Sequence, residues 1–174
     1  YRPVNAEKER VDMGRLVEQV LALIKPQLQD LGIRVHVHRP EVIPPVTGAS
    51  SQLKQVIFNL MINAVDAMAE ANGATFPRCN KEIWVDILAD SRYVSVIIED
   101  SGPGIPDRLR EQIFEPFVST KKNGTGLGLT ISFGILESHQ GRLVLAPSRH
   151  GSGACFEIRL PVEVEKNDQS INCR

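Results

Sequence analysis

Apolar positions recur along this chain in two periods, and the switches between those periods mark out its elements. Leu16, Val17, Val20, Leu21, Leu23 and Ile24 follow the 3.6-residue period of a helix face, behind Asp12, a capping residue type. Pro26 falls inside that pattern and predicts a kink or an early end. Beyond Gly32 the period drops to two: Ile33, Val35 and Val37 alternate with Arg34, His36 and His38, as in a half-buried strand. Pro40, Pro44 and Pro45 close that strand and lead into a second helix over residues 50–70. Its core face is Leu53, Val56, Ile57, Leu60, Met61, Ala64, Val65 and Met68. Residues 83–89 and 94–98 are β-branched runs on either side of Asp90, Ser91 and Arg92, and predict an antiparallel pair. A short helix over 107–114, a polar loop over 116–125 and a helix over 126–139, with Leu129, Phe133 and Leu136 facing inward, come next. Strands at 143–146 and 154–160 finish the pattern. Five strands and about four helices that do not strictly alternate predict an α+β sandwich, not a doubly wound parallel sheet.

Composition narrows this picture without redirecting it. A length of 174 residues suits one core, expected over residues 12–161, with a polar linker at 1–11 and a charged tail at 162–174. A formal charge of -1 gives no basis for nucleic acid as a partner. Cys79, Cys155 and Cys173 lack the spacing of a metal or redox motif and read as free thiols in a reducing compartment. No apolar run approaches the roughly 20 residues of a spanning helix, and the start has no signal-peptide pattern. The expectation is a soluble, cytoplasmic piece, which a longer membrane receptor could contain.

Three groups of residues break the apolar pattern in ways that suggest chemistry. Asn59, Asn63 and Asp66 fall within about 60° of one another on the second helix, at about 100° per residue. They form one polar stripe flanked by Ile62 and Ala67. Amide carbonyls are hard oxygen ligands suited to Mg2+, although two solvated amides would look the same. Asp100 ends a strand and opens the turn Ser101, Gly102, Pro103, Gly104, Ile105. It is either a turn cap or an acceptor-only group for the exocyclic amine of adenine. Gly124, Thr125, Gly126, Leu127, Gly128 and Leu129 open a helix, where glycines admit phosphate oxygens to backbone N–H groups, or simply make a turn. Lys121 and Lys122 precede that run, and Phe114 and Phe117 look like a packed aromatic anchor at the loop's other end.

Taken in order, four segments strongly resemble the catalytic and ATP-binding domain of sensor histidine kinases. The helix around Asn59 and Asn63 is similar to the N box, the Asp100 turn to the G1 box, Ile113 to Phe117 to the F box, and Gly124 to Leu129 to the G2 box. The short loop before the glycines is most similar to the nitrogen-regulation and oxygen-sensing kinases. The resemblance implies a Bergerat fold, a mixed five-stranded sheet covered on one face by helices, with ATP and Mg2+ as ligands. Asn63 would hold the metal, Asp100 the adenine, Gly104 and Ile105 the ring, and Gly126 and Gly128 the phosphates. Ala67, Gly102, Gly124, Leu127 and Leu129 complete the implied ATP-binding set, and Thr120, Lys121 and Thr125 the lid. Asn59 stands where related ATPases place a water-activating glutamate, and an amide cannot act as that base. Asp66 departs from the basic residue of many members and would hold a metal-bound water. None of His36, His38, His139 and His150 has the setting of a phosphate acceptor. The implied partners are therefore a dimerisation domain of the same parent chain, itself a homodimer, and a response regulator. The fragment alone would be a monomer. A gyrase-type ATPase and an anti-sigma-factor-like serine kinase are the competing readings.

Overall fold

The computed structural model describes residues 7–70, 81–119, 124–151 and 153–163. Helix α1, Met13–Asp30, starts where Asp12 accepts a hydrogen bond from the Arg15 amide at 3.1 Å. Pro26 does not end it. The proline lies on the exposed side, and Ile24 and Leu28 on either side are buried, so packing carries the helix past the lost bond. It stops at Gly32, whose φ of 65° lets the Ile33 amide reach back to the Leu28 carbonyl at 2.9 Å.

The main sheet has the order β2-β4-β5-β7-β6, built from β2 (Arg34–His38), β4 (Glu82–Ala89), β5 (Tyr93–Asp100), β6 (Arg142–Ala146) and β7 (Cys155–Pro161). β2 runs parallel to β4, and every other pair is antiparallel. Alternation sends Ile83, Val85, Ile87, Val94, Val96, Ile98, Ile158 and Leu160 to one buried face. They form one cluster with the apolar stripes of α1, of α2 (Ser50–Glu70) and of α3 (Gly128–Ser138). This is the expected two-layer α+β sandwich, with a mixed five-stranded sheet and helices on one face. On the other face Cys155 is a buried free thiol, pushed up to about 11 by burial and by the charge of Glu99.

Three local expectations are corrected. Residues 9–11, inside the expected linker, form β1 (Glu9–Val11), antiparallel to β3 (Val46–Gly48), which intervenes between Pro45 and α2. Val11 and Val46 are buried, but strands this short carry no readable alternation. In the expected tail, Val162 bridges to Val46 and the Glu163 amide donates to Pro45. The helix expected over 107–114 is a single 3-10 turn, Asp107–Leu109, followed by further turns. Ile113 is its one deeply buried side chain, too small an apolar face to hold a longer helix.

His139, 3% exposed, closes α3 and ties it to the start of α2. Its Nδ1 donates to the Ile135 carbonyl at 2.7 Å, and its Nε2 accepts from the Ala49 amide at 2.9 Å. Those two bonds fix a neutral ring with the proton on Nδ1. His139→Ala would orphan the Ala49 amide and open a cavity, at an expected cost of about 2–3 kcal/mol. Scanning calorimetry should then show a midpoint lower by roughly 4–12 °C. An unchanged midpoint would mean that the ring does not hold the two helices together.

Candidate functional site

The polar stripe of α2 is half-buried, and its two ends touch different elements. At one end the Asn59 Nδ2 donates to the Gly128 carbonyl at 3.3 Å and to Ser132 Oγ at 3.2 Å. Ser132 Oγ in turn donates to the same Gly128 carbonyl at 2.8 Å. A carbonyl can only accept, so the amide orientation of Asn59 follows from its partners. At the other end Ala67 meets the Asp100 turn. A Cβ on Gly102 would lie 3.4 Å from the Ala67 methyl and 2.7 Å from Asp100 Oδ1. Asn63 and Asp66 lie between, half-buried on successive turns. At 1.5 Å per residue, α2 separates its two contacts by about 12 Å.

Asp100 ends β5 and is 4% exposed. Its Oδ1 accepts from the Gly102 amide at 2.8 Å and from the Ala154 amide at 3.4 Å, which leaves Oδ2 for an incoming donor. Burial pushes this carboxyl up, the two amides pull it down by less, and the Glu99 charge adds to the rise, to about 6. Gly153, which the sequence pattern did not single out, packs on the Asp100 backbone so closely that any Cβ would collide with its carbonyl. Gly104 takes a φ of 73°, and Ile105 returns half-buried against the core. A cavity of about 280 Å³ adjoins these residues, lined by Ile105, Arg110, Leu145, Pro147, Gly153 and Ala154 among others.

At the other end, Gly126 and Phe117 clasp the loop between them. The Phe117 amide donates to the Gly126 carbonyl at 3.1 Å, and both residues are left-handed, at φ values of 68° and 67°. A Cβ on Gly126 would sit 2.5 Å from the Phe117 carbonyl carbon. Phe114 does not pack on Phe117 as expected. It tilts against Phe133 at 5.6 Å, while Phe117 is 78% exposed. α3 begins at Gly128, two residues later than expected, with Leu127 at its cap and no side chain bonding the first amides. Those amides can therefore take an anion. Gly124 and Thr125 are exposed, Leu127 and Leu129 half-buried, and Thr120 and Lys121 lie outside the described residues. Along α3 the fully buried positions are Ser132 and Leu136, with Leu129 and Phe133 only half-buried.

The donor set fits a nucleotide and its metal. Among the described residues no three His, Cys, Asp or Glu side chains form a metal cage. One or two protein oxygens beside phosphates and water suit Mg2+, and an amide on the α2 stripe can supply one.

Glu99 acts from behind the site, and strand alternation alone would place it in solvent. It is 0% exposed because the turn before β7 folds over it. Its Oε1 accepts from Ser148 Oγ at 2.7 Å, the Arg149 amide at 2.8 Å and the His150 amide at 2.7 Å. Its Oε2 meets His150 Nδ1 at 3.1 Å. Burial alone would raise this carboxyl, but those hydrogen bonds outweigh it and hold it below the ordinary carboxylate value. The His150 ring stacks on Trp84 at 4.2 Å. The turn thus fixed delivers Gly153 and Ala154 onto Asp100.

This arrangement matches known proteins. The model for histidine kinase-, DNA gyrase B- and HSP90-like ATPases matches residues 48–164. Sporulation kinase A of Bacillus subtilis (strain 168) is 36% identical over 157 residues, 90% of this chain and 24% of that protein. The signal transduction histidine-protein kinase AtoS of Escherichia coli (strain K12) is 35% identical over 170 residues, 95% and 26% respectively. The chain thus spans about a quarter of the length of these curated relatives. The nucleotide-free catalytic domain of histidine kinase ThkA superposes with a TM-score of 0.76 at 30% identity, covering 90% of this chain and 96% of that one. Full-length ShkA, solved with AMPPNP, gives 0.75 at 25% identity, covering 94% and 33%. By sequence and by fold, the chain belongs to the histidine kinase-, DNA gyrase B- and HSP90-like ATPase family, as a catalytic ATP-binding domain of the sensor histidine kinase type.

Proposed function

We propose that this domain binds magnesium-ATP and donates the γ-phosphate to a histidine on a separate dimerisation domain of its parent chain. A response regulator would then receive it. The observation that supports this most is the reach of α2, which meets the first residue of α3 at Asn59 and the Asp100 turn at Ala67. One helix can therefore register an adenine at one end of the site against phosphates at the other. In this reading Asp100 accepts the adenine amine, Gly104 and Ile105 flank the ring, and Gly126, Gly128 and the first α3 amides hold phosphates. Thr120, Lys121 and Thr125 close over them. Mg2+ at Asn63, with a water held by Asp66, supplies the charge that offsets the phosphates.

The domain's own contribution is to hold the donor still and dry. The bond from the γ-phosphorus to the bridging oxygen breaks, and ADP leaves with that electron pair. The lone pair of the unprotonated imidazole nitrogen forms the new bond to phosphorus, and the ring's other N–H gives its proton to water or a base on the acceptor domain. Asn59 favours transfer over hydrolysis, since an amide whose N–H groups are spent on Gly128 and Ser132 takes no proton from water. The working unit is the expected 12–161 extended by β1 and by the Val162 and Glu163 contacts, and the chain before β1 leads from the dimerisation domain. The parent is a homodimer whose kinase portion faces the cytoplasm. Among the described residues no helix is long and apolar enough to cross a membrane.

The test mixes this chain with the isolated dimerisation domain of its parent, γ-labelled ATP and Mg2+. Acid-labile, alkali-stable label on the dimerisation domain is expected, with slow phosphate release in its absence. Hydrolysis as fast as transfer would favour the ATPase reading instead.

A further inference from the structure

Ser132 is a hydroxyl with 0% exposure in the middle of α3, far too deep to touch a ligand. Burying such a group is costly unless it is hydrogen-bonded, and here its donor and one acceptor site are both engaged. Its proton goes to the Gly128 carbonyl one turn back, at 2.8 Å. Its lone pairs take one N–H of Asn59 at 3.2 Å, and the Asn59 nitrogen also lies 3.3 Å from the same carbonyl. Three groups from two helices thus close a ring at the first residue of α3. That residue carries the phosphate-end amides, and Asn59 lies one turn from Asn63 on α2.

We infer that Ser132 is a positioning residue which, through Asn59 and Gly128, locks the first turn of α3 to α2 so that metal and nucleotide bind as one unit. This rests on the reading of the site given above. With the lock intact, the metal side and the phosphate side of the site share one rigid frame, so whichever ligand orders it first reduces the cost for the second. Without the lock, α3 can shift against α2, and the metal at Asn63 gains less from a nucleotide bound at the α3 amides.

The test uses the whole chain and a non-hydrolysable ATP analogue, titrated calorimetrically with Mg2+ and with a chelator. In Ser132→Ala the ratio of the two affinities should fall about fivefold or more, while the midpoint of unfolding moves little. Asn59→Ala should lower the same ratio, and the double variant should be no worse than the single ones. In the nucleotide-free protein, amide hydrogen exchange over residues 128–132 should quicken in Ser132→Ala. An unchanged ratio, additive losses, or unchanged exchange would each overturn the lock. If the unaltered chain itself bound no nucleotide, the functional reading would fail on its own, and the exchange measurement would still judge the lock.

Discussion

Asp100→Asn is expected to weaken ATP binding by about 30- to 100-fold while making the free protein more stable. Both effects come from the same two amides. Gly102 and Ala154 donate to Oδ1, so an asparagine would turn its carbonyl toward them and leave an NH2 group facing the adenine amine. Donor then meets donor, and selectivity for ATP over GTP should narrow with the loss of affinity. The stability gain follows from linkage. The folded carboxyl titrates near 6, above its ordinary 3.8, so the folded state holds the proton more tightly than the unfolded one. Its favourable contribution is complete below about pH 3.8 and is lost as pH rises through about 6, leaving an ionised Asp100 that costs roughly 3 kcal/mol at pH 7. The amide escapes that cost. ATP affinity of the unaltered chain should fall about tenfold more per unit below pH 6 than that of the variant, which lacks the titrating carboxyl. Calorimetric titrations and melts between pH 5 and 8 measure both, and a variant that binds ATP as tightly as the parent overturns the adenine role.

Glu99→Ala carries the second large effect. It removes the acceptor for Ser148, Arg149 and His150 together, at an expected cost of about 3–4 kcal/mol, or roughly 6–16 °C in the unfolding midpoint. The turn before β7 loses its anchor, so Gly153 and Ala154 no longer press on Asp100, and ATP affinity should fall several-fold as well. The pH dependence runs opposite to that of Asp100. A carboxyl held below its ordinary value of 4.5 contributes stability above that value, and the contribution is lost as pH falls through the folded pKa. Acid melts of the variant should therefore show a shallower fall than those of the parent. Equal slopes would mean that the ionised Glu99 does not hold the turn.

What the sequence revealed and what it hid follow one rule. Features repeated along an element were legible: the α2 stripe, the alternation of β4 and β5, and the Asp12 cap all come from neighbours in the chain. Features made by distant segments were not. Glu99 is buried by residues about 50 positions away, Gly153 earns its place only against Asp100, and Ser132 matters because Asn59 lies across from it. β1 and β3 escaped notice because each is 3 residues long, and their pairing is set by contact, not by pattern. The aromatic anchor was half right. Phe114 packs inward, but on Phe133, because the chain turns left-handed at Phe117 and carries that ring outward.

The clasp between Phe117 and Gly126 makes the stretch it closes interchangeable. Its ends are pinned by their own hydrogen bond, so the entropy of joining them is already spent whatever lies between. Doubling the length of such a loop adds only about 0.6 kcal/mol. The chain between them can therefore change in length at little cost while its two ends stay paired.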